Sequence, residues 1–337
     1  MLCGELCGRI LTTNEMTTPK YTFLLPAFKG KFLDEMLRSI KAQTYTDFKV
    51  LISDDCSPED LRSICEPYLS DPRFSYRRNE ENMGSKSLVS HWNLLVDMCD
   101  TEYLIMASDD DVYEPQFLAE IDALTLKYPN VDLFRGRVKK IDGEGDLLLQ
   151  DMMMEEFQSQ MDFLFYFFHY DILKCIANYV FKTSALRKKG RFFDLPLAWG
   201  SDDATVIKLS ENGVCNTPSL GFLFRSSGIN ISTTGGLRVT REKTREIHIY
   251  TRFLEDYLIT LKSRIISKKD MEQYRLIEKS SKERFYIKSL FYGAQLASFK
   301  EMMTYYRYLS KRDLFKGKLD KIHFFWSWIK AYNTRKG

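Results

Sequence analysis

Tyr103-Leu104-Ile105-Met106-Ala107-Ser108-Asp109-Asp110-Asp111 joins an apolar run directly to three consecutive carboxylates. An apolar run of that length bounded by polar residues reads as a buried strand, so the aspartates stand where the strand leaves the core. In open α/β sheets that carboxyl edge is where ligands bind. Like charges side by side are costly unless a cation is shared. Oxygen-rich clusters suit Mg²⁺ or Mn²⁺, ions that usually hold a substrate phosphate as well. Taken alone, the triplet is accounted for equally well by a polar turn whose side chains cap the next helix.

On either side, apolar runs alternate with helical spacing from about residue 20 to 135. Tyr21–Ala27 and Phe48–Ile52 read as strands, separated by Phe32, Leu33, Met36, Leu37 and Ile40 at helical intervals. Ser57 is placed to cap a helix with Pro58 in its first turn. Arg73–Arg77 is a short third strand, Asn82-Met83-Gly84-Ser85 opens a helix through Leu88, Trp92 and Leu95, the triplet ends the fourth strand, and Pro115 opens the next helix. Val131–Phe134 is a fifth strand. Such alternation predicts a mostly parallel sheet with helices on both faces. Further on, Ile141–Asp146 reads as a hairpin turn, Phe163–Phe168 as a helix or lid, Asn178–Ser184 as a strand and Thr205–Leu209 as a helix.

The 337 residues are 44% hydrophobic and 28% charged, a folded-protein composition. No apolar stretch is long enough to span a bilayer. Residues 1–17 lack the apolar core of a secretory signal and read as a disordered tail, with Met16 an alternative start. Seven scattered cysteines then read as reduced thiols of a cytoplasmic protein. The net charge of +3 hides an asymmetry. Residues 240–337 hold 23 Lys and Arg against 11 Asp and Glu, a net of +12, and the remainder has 26 against 35, a net of −9. This basic segment contains no proline, and it predicts three or four helices ending with Lys318–Tyr332. Phe324, Phe325, Trp326 and Trp328 among Lys318, Lys321 and Lys330 suit a membrane interface, or packing on the main domain or a second subunit. No nucleic-acid reader motif is present.

The triplet has company. Asp54 and Asp55 follow the second strand, where an Asx-turn competes with a hydrogen bond to a nucleobase N–H or a ribose hydroxyl. Asp202 and Asp203 follow Trp199-Gly200-Ser201 and open a helix, where capping is the ordinary explanation. EF-hand spacing, a Walker loop and a GxGxxG fingerprint are all absent.

Together FLLPAFKGKFLDEMLRSIKAQTYTDFKVLISDDCSPED, NEENMGSKSLVSHWNLL, YLIMASDDDVYEPQFL and AWGSDDATVIKLSENG resemble the family 2 glycosyltransferases of the GT-A fold over Tyr21 to Ser232. The resemblance implies an α/β, Rossmann-like domain over residues 18–235 and a helical extension over 236–337. It implies that Pro26, Ala27 and Phe28 line a nucleotide pocket, and that Asp55 or Asp54 contacts the uracil or ribose. Asp109 would face the ribose or donor sugar with Asp110 beside it, and Asp111, with Asp109, would hold Mn²⁺ or Mg²⁺ at the leaving diphosphate. Asp203, or its neighbour Asp202, would be the base that deprotonates the acceptor hydroxyl. Arg225 would approach the diphosphate. His91, Trp92 and His169 read as packing residues.

The implied activity is inverting transfer from a nucleotide-diphosphate sugar, a UDP-sugar first, to a glycan or lipid-linked acceptor. The setting would be surface polysaccharide or glycolipid synthesis, in the cytoplasm or at the inner face of the membrane, with a homo-oligomer allowed. A catalytically inactive sugar-nucleotide-binding scaffold and a nucleotidyltransferase of similar fold are the alternatives.

Overall fold

Tyr21, Phe23, Leu24 and Leu25 are fully buried, and the run they form becomes the strand β1 (Tyr21–Ala27) inside the main sheet. The computed structural model describes residues 18–170, 172–195, 197–227, 237–294, 296, 298–311, 315 and 317–334. The expected tail with Cys3 and Cys7, and Gly228-Ile229-Asn230, lie outside the described residues.

β1 pairs in parallel with β2 (Phe48–Asp54) and β4 (Tyr103–Met106), and β2 with β3 (Phe74–Arg78). The register sets Pro26 opposite Ser53 and Ala27 opposite Asp54, so these strands end at one level. β5 (Val112–Tyr113), β6 (Leu133–Arg135), β7 (Val138–Ile141), β8 (Leu147–Gln150), β9 (Phe157–Gln158), β10 (Tyr179–Lys182), β11 (Val214–Asn216) and β12 (Phe222–Arg225) follow. The main sheet has the order β3-β2-β1-β4-β10-β6-β11-β9, and a second sheet has the order β5-β12-β7-β8. β10 runs antiparallel to both β4 and β6, so the sheet departs from all-parallel at its middle. The expected hairpin is the antiparallel pair β7–β8.

The helices are α1 (Leu33–Lys41), α2 (Leu61–Cys65), α3 (Gly84–Met98), α4 (Phe117–Lys127), α5 (Gln160–Phe165), α6 (Thr183–Lys188), α7 (Ser201–Leu209), α8 (Leu237–Ser263), α9 (Lys268–Ala294), α10 (Phe299–Ser310) and α11 (Lys318–Thr334). α1 shows why the periodicity was readable. Leu33, Met36, Leu37 and Ile40 form one buried stripe, each contributing roughly 1.5–3 kcal/mol. Its acidic first turn and basic last turn complement the helix dipole. Ser57 does not cap a helix. Asp60 caps α2 by accepting from Ser63 N at 3.2 Å, while Ser57 Oγ donates to Phe28 O at 2.6 Å and ties two loops together.

The C-terminal segment folds into helices as its periodicity predicts. Leu254, Leu258 and Leu261 of α8 and Tyr274 and Ile277 of α9 join the core under the sheet. A smaller core gathers Leu296, Met302, Tyr305, Leu309, Phe324 and Trp328 of the last two helices and their approach. Trp328 Nε1 donates to Leu296 O at 3.0 Å across it. Among the described residues no helix is long and apolar enough to cross a membrane.

Candidate active site

The site is built at the carboxyl ends of β1, β2 and β4, where β1 and β2 end level and β4 ends at Met106, opposite Leu24. Asp55 N donates to Ala27 O at 2.9 Å on one side of the β1 loop. On the other side, Phe28 N and Lys29 N both donate to Asp109 Oδ2, at 2.9 and 2.7 Å. The Pro26-Ala27-Phe28 backbone is thereby strapped between two of the acidic clusters, with Phe28 at the surface. Burial pushes the Asp109 carboxyl up, and the two backbone N–H groups pull it back.

Immediately after the triplet the chain leaves the main sheet and enters the second one as β5, which pairs with β12. The triplet therefore sits at the crossing between sheets. Arg225, at the end of β12, donates its backbone N–H to Asp111 Oδ1 at 2.9 Å and Nε to Asp110 O at 3.0 Å. Its guanidinium pairs with Glu35 at 2.7 Å and lies 4.4 Å from the Phe32 ring centroid. Arg225 is thus a buried brace for the triplet, and the structure does not place it at the surface. Asp110 is pushed up to about 6 by burial and by the charge of Asp109. Asp111 is raised well above the usual range by burial and by Asp110, against the Arg225 N–H. A hydrogen bond from the Ser108 side chain also lowers it, and among the described residues none hydrogen-bonds the buried Oδ2.

That orphaned oxygen is the test of metal fit. Among the described residues no three acidic, His or Cys side chains converge as a complete cage. Mg²⁺ and Mn²⁺ sites at phosphates need only one or two protein carboxylates, the phosphates and water supplying the rest. Asp111 Oδ2 fits such a site. Asp109 fits less well, since its Oδ2 already accepts two N–H groups.

Asp54 and Asp55 prove to be different residues. Asp54 is fully buried and spent on the protein: Oδ1 accepts from Ser57 N at 2.8 Å, and Oδ2 from Tyr76 and Arg78. Asp55 reaches the start of α3, where Oδ1 accepts from Met83 N at 2.9 Å and Oδ2 from Gly84 N at 2.7 Å. A side chain at Gly84 would put its Cβ 2.9 Å from Asp55 Oδ2, so only glycine lets the carboxylate this close. Asn79 Nδ2 adds a third donor at 2.8 Å. His91 is fully buried behind Asp55, with Nδ1 3.6 Å from Oδ1, and desolvation lowers its pKa against that charge. The packing role expected of His91 is thus one of backing Asp55. Asn79 was not visible beforehand, because a lone Asn after a short strand carries no pattern.

Asp202 and Asp203 lie in the first turn of α7, where Asp203 N donates to Asp202 Oδ1 at 2.9 Å. Asp203 is buried, and none of the described residues hydrogen-bonds its carboxylate. The Cys175 thiol feels both clusters: it is raised well above its ordinary value by desolvation, then by the charge of Asp111, with Asp202 adding to it. His169 instead stacks on Phe165 at 4.9 Å and meets Ser280, away from these contacts.

A buried carboxylate with a spare oxygen, a strapped loop beside it and a second buried carboxylate in α7 are groups that can bind an anion through a cation and accept a proton. The profile of glycosyl transferase family 2 matches residues 22–189. Poly(ribitol-phosphate) beta-N-acetylglucosaminyltransferase TarS from Staphylococcus aureus, in strains Mu50 and MW2, is 23% identical over 129 residues. That alignment covers 37% of this chain and 22% of the relative, so the chain matches about a fifth of the length of these curated proteins. The structure of S. aureus TarS 1–349 in complex with UDP-GlcNAc superposes with a TM-score of 0.55 at 15% identity, covering 94% of this chain and 91% of that one. The mannosyltransferase PcManGT from Pyrobaculum calidifontis, in complex with GDP-Man and Mn²⁺, superposes with a TM-score of 0.50 at 12% identity, covering 94% and 86%. At such identities the likeness shows a shared fold.

Proposed function

Since the chain belongs to glycosyl transferase family 2 and has the GT-A fold, we propose that it moves a sugar from a nucleotide-diphosphate sugar to an acceptor hydroxyl with inversion. The observation that carries this reading is the junction at the strand ends. There the β1 loop is strapped to Asp109, none of the described residues hydrogen-bonds the buried Asp111 Oδ2, and the Cys175 thiol feels the charges of both Asp111 and Asp202.

Each residue then has a task. Pro26, Ala27 and Phe28 present the strapped loop to the nucleotide, and Asp55, fixed by three donors, meets its base or ribose. Asp111, with Asp109 and Asp110 beside it, would hold Mn²⁺ or Mg²⁺, which neutralises the leaving diphosphate when bound. Asp203 accepts the proton of the acceptor hydroxyl as that oxygen attacks C1 of the donor. Attack from the face opposite the diphosphate inverts the anomeric carbon. Asp202 fixes the first turn of α7 by accepting the Asp203 N–H. Arg225 braces the triplet from behind.

The relatives recommend UDP-GlcNAc as the first donor to try and a surface polysaccharide or its lipid-linked precursor as acceptor. α11 supports the lipid-linked version. Leu319, Ile322, Trp326 and Ile329 form one stripe at i, i+3, i+7 and i+10, between 49% and 69% exposed, while Phe324 and Trp328 face inward. Residues 311–337 carry 8 Lys and Arg against 2 Asp, so a second copy of this face would be repelled and an anionic bilayer attracted. On this reading the enzyme works at the cytoplasmic face of a membrane.

The test is a panel of UDP-, GDP- and dTDP-sugars with Mn²⁺ or Mg²⁺, read as release of free nucleoside diphosphate. Slow hydrolysis of one donor without acceptor supports the reading. No binding to any of them removes it.

A further inference from the structure

The loop that delivers Asp202 and Asp203 is an unusual piece of backbone. Ala198 has φ 59°, a left-handed conformation that a residue with a Cβ avoids, and Gly200 has φ 90°. Two such residues within three persist only when the surroundings over-determine them. Internal contacts supply part of the hold: Ala198 N donates to Leu195 O at 2.9 Å, Ser201 N to Ala198 O at 3.1 Å, and Leu195 N to Ser201 Oγ at 3.2 Å.

The remainder comes from α8, well beyond residues 22–189 that match the family profile. Glu246 is fully buried, its Oε1 accepting from Leu197 N and its Oε2 from Trp199 N at 3.2 Å. One turn before it, the buried Lys243 sets Nζ 4.7 Å from the Trp199 ring centroid. One turn after it, Tyr250 closes against Gly200, its ring 3.7 Å from where a Cβ would stand. Residues 243, 246 and 250 share one helix face, and that face meets three of the four residues from Leu197 to Gly200.

We propose that Glu246 is a positioning residue for Asp203: by accepting the Leu197 and Trp199 N–H groups it fixes the loop that sets the start of α7, making α8 part of the catalytic unit. The inference rests on the reading of Asp203 as the base. A buried carboxylate is an expensive choice for a mere loop anchor, because a buried charge needs compensation that an apolar contact does not. Two acceptor oxygens on a rigid fork can take two N–H groups from residues two apart, and no apolar side chain does that. The hydrogen-bond partners of the Glu246 carboxylate are Leu197 N and Trp199 N, neither of which belongs to the β1 loop or to the donors around Asp55, so Glu246 should govern transfer without governing nucleotide affinity.

The test uses the full chain with Glu246→Gln and Glu246→Ala, alone and combined with Asp203→Asn. UDP affinity, UDP-GlcNAc hydrolysis with Mn²⁺ and amide hydrogen exchange over residues 195–203 are measured. The expected result is a roughly 10–100-fold fall in kcat for Glu246→Ala, with KM and UDP affinity within twofold of wild type. Glu246→Gln, which keeps one acceptor oxygen, should lie between. In the Asp203→Asn background either change should have no further effect, a non-additivity that a general loss of stability would not produce. Exchange at 195–203 should quicken in both variants. Unchanged exchange there, an unchanged kcat, an additive double variant, or a parallel loss of UDP affinity would each overturn the inference. A wild-type protein that neither binds UDP nor hydrolyses UDP-GlcNAc instead sinks the transferase reading, and the exchange measurement still decides whether Glu246 holds the loop. If Glu246→Ala does not fold, the near-isosteric Glu246→Gln carries every comparison.

Discussion

Arg225 gives its backbone N–H to Asp111 Oδ1 at 2.9 Å, while none of the described residues hydrogen-bonds the buried Asp111 Oδ2. One oxygen of the carboxylate is thereby tied to the end of β12. The triplet is therefore neither a simple capping turn nor a free acidic patch.

Arg225→Ala removes the guanidinium from between Glu35, Phe32 and the Asp110 carbonyl. Glu35 is half exposed, so the cost falls mainly on the buried Asp110 carbonyl and should destabilise the protein by about 1–3 kcal/mol. Chemical denaturation with the urea midpoint compared to wild type checks this. A loss below about 1 kcal/mol would mean the brace is not structural.

Asp203→Asn keeps the shape of α7 and removes the base. Donor turnover with acceptor should fall by roughly 10²–10⁴, with circular dichroism and UDP affinity unchanged. Asp202→Asn should cost much less, since Asp202 Oδ1 already accepts the Asp203 N–H. Equal losses at the two positions would reverse the assignment.

Glu246 is pushed up to about 7 by burial, against the two backbone N–H groups it accepts, with Glu242 raising it further and Lys243 lowering it. A carboxyl raised in the fold binds its proton more tightly there than in the unfolded chain. It therefore favours the folded state below about pH 4.5 and loses that contribution as pH rises through about 7. Between those values Glu246→Gln should show a flatter stability profile than wild type, the difference amounting to roughly 1–3 kcal/mol. Parallel profiles from thermal melts across this range would contradict the shift.

Replacing Leu319, Ile322, Trp326 and Ile329 by Ser removes the exposed stripe of α11 without touching Phe324 or Trp328. Wild type should float with vesicles containing phosphatidylglycerol and not with pure phosphatidylcholine, and the variant should float with neither. Flotation of the variant equal to wild type would rule out this face.

Much of the architecture was legible because periodicity depends on burial. The α1 stripe and the β1, β2 and β4 runs carry their apolar residues where the core needs them. The antiparallel direction of β10 was not legible, since a four-residue strand such as Tyr179–Lys182 has no direction in a sequence. Nor was the second sheet, because the two-residue β5 is far too short to give a pattern, although it determines what Arg225 does. The acidic clusters were found by their positions after strands. Their division of labour was not, because Asp54 and Asp55 differ only in which donors surround them. Glu246 is invisible in one dimension, being one carboxylate in a charged helix, 43 residues after Asp203 in the chain.

The most direct test of the central claim is calorimetric titration of UDP into wild type, Asp111→Asn and Asp203→Asn, with and without Mn²⁺. Mn²⁺-dependent UDP binding is expected of wild type and of Asp203→Asn alike. Asp111→Asn should bind at least tenfold more weakly in Mn²⁺, with little difference among the three without metal. Wild-type protein that binds no UDP in Mn²⁺, or an Asp111→Asn variant that binds it as well as wild type, would contradict the claim.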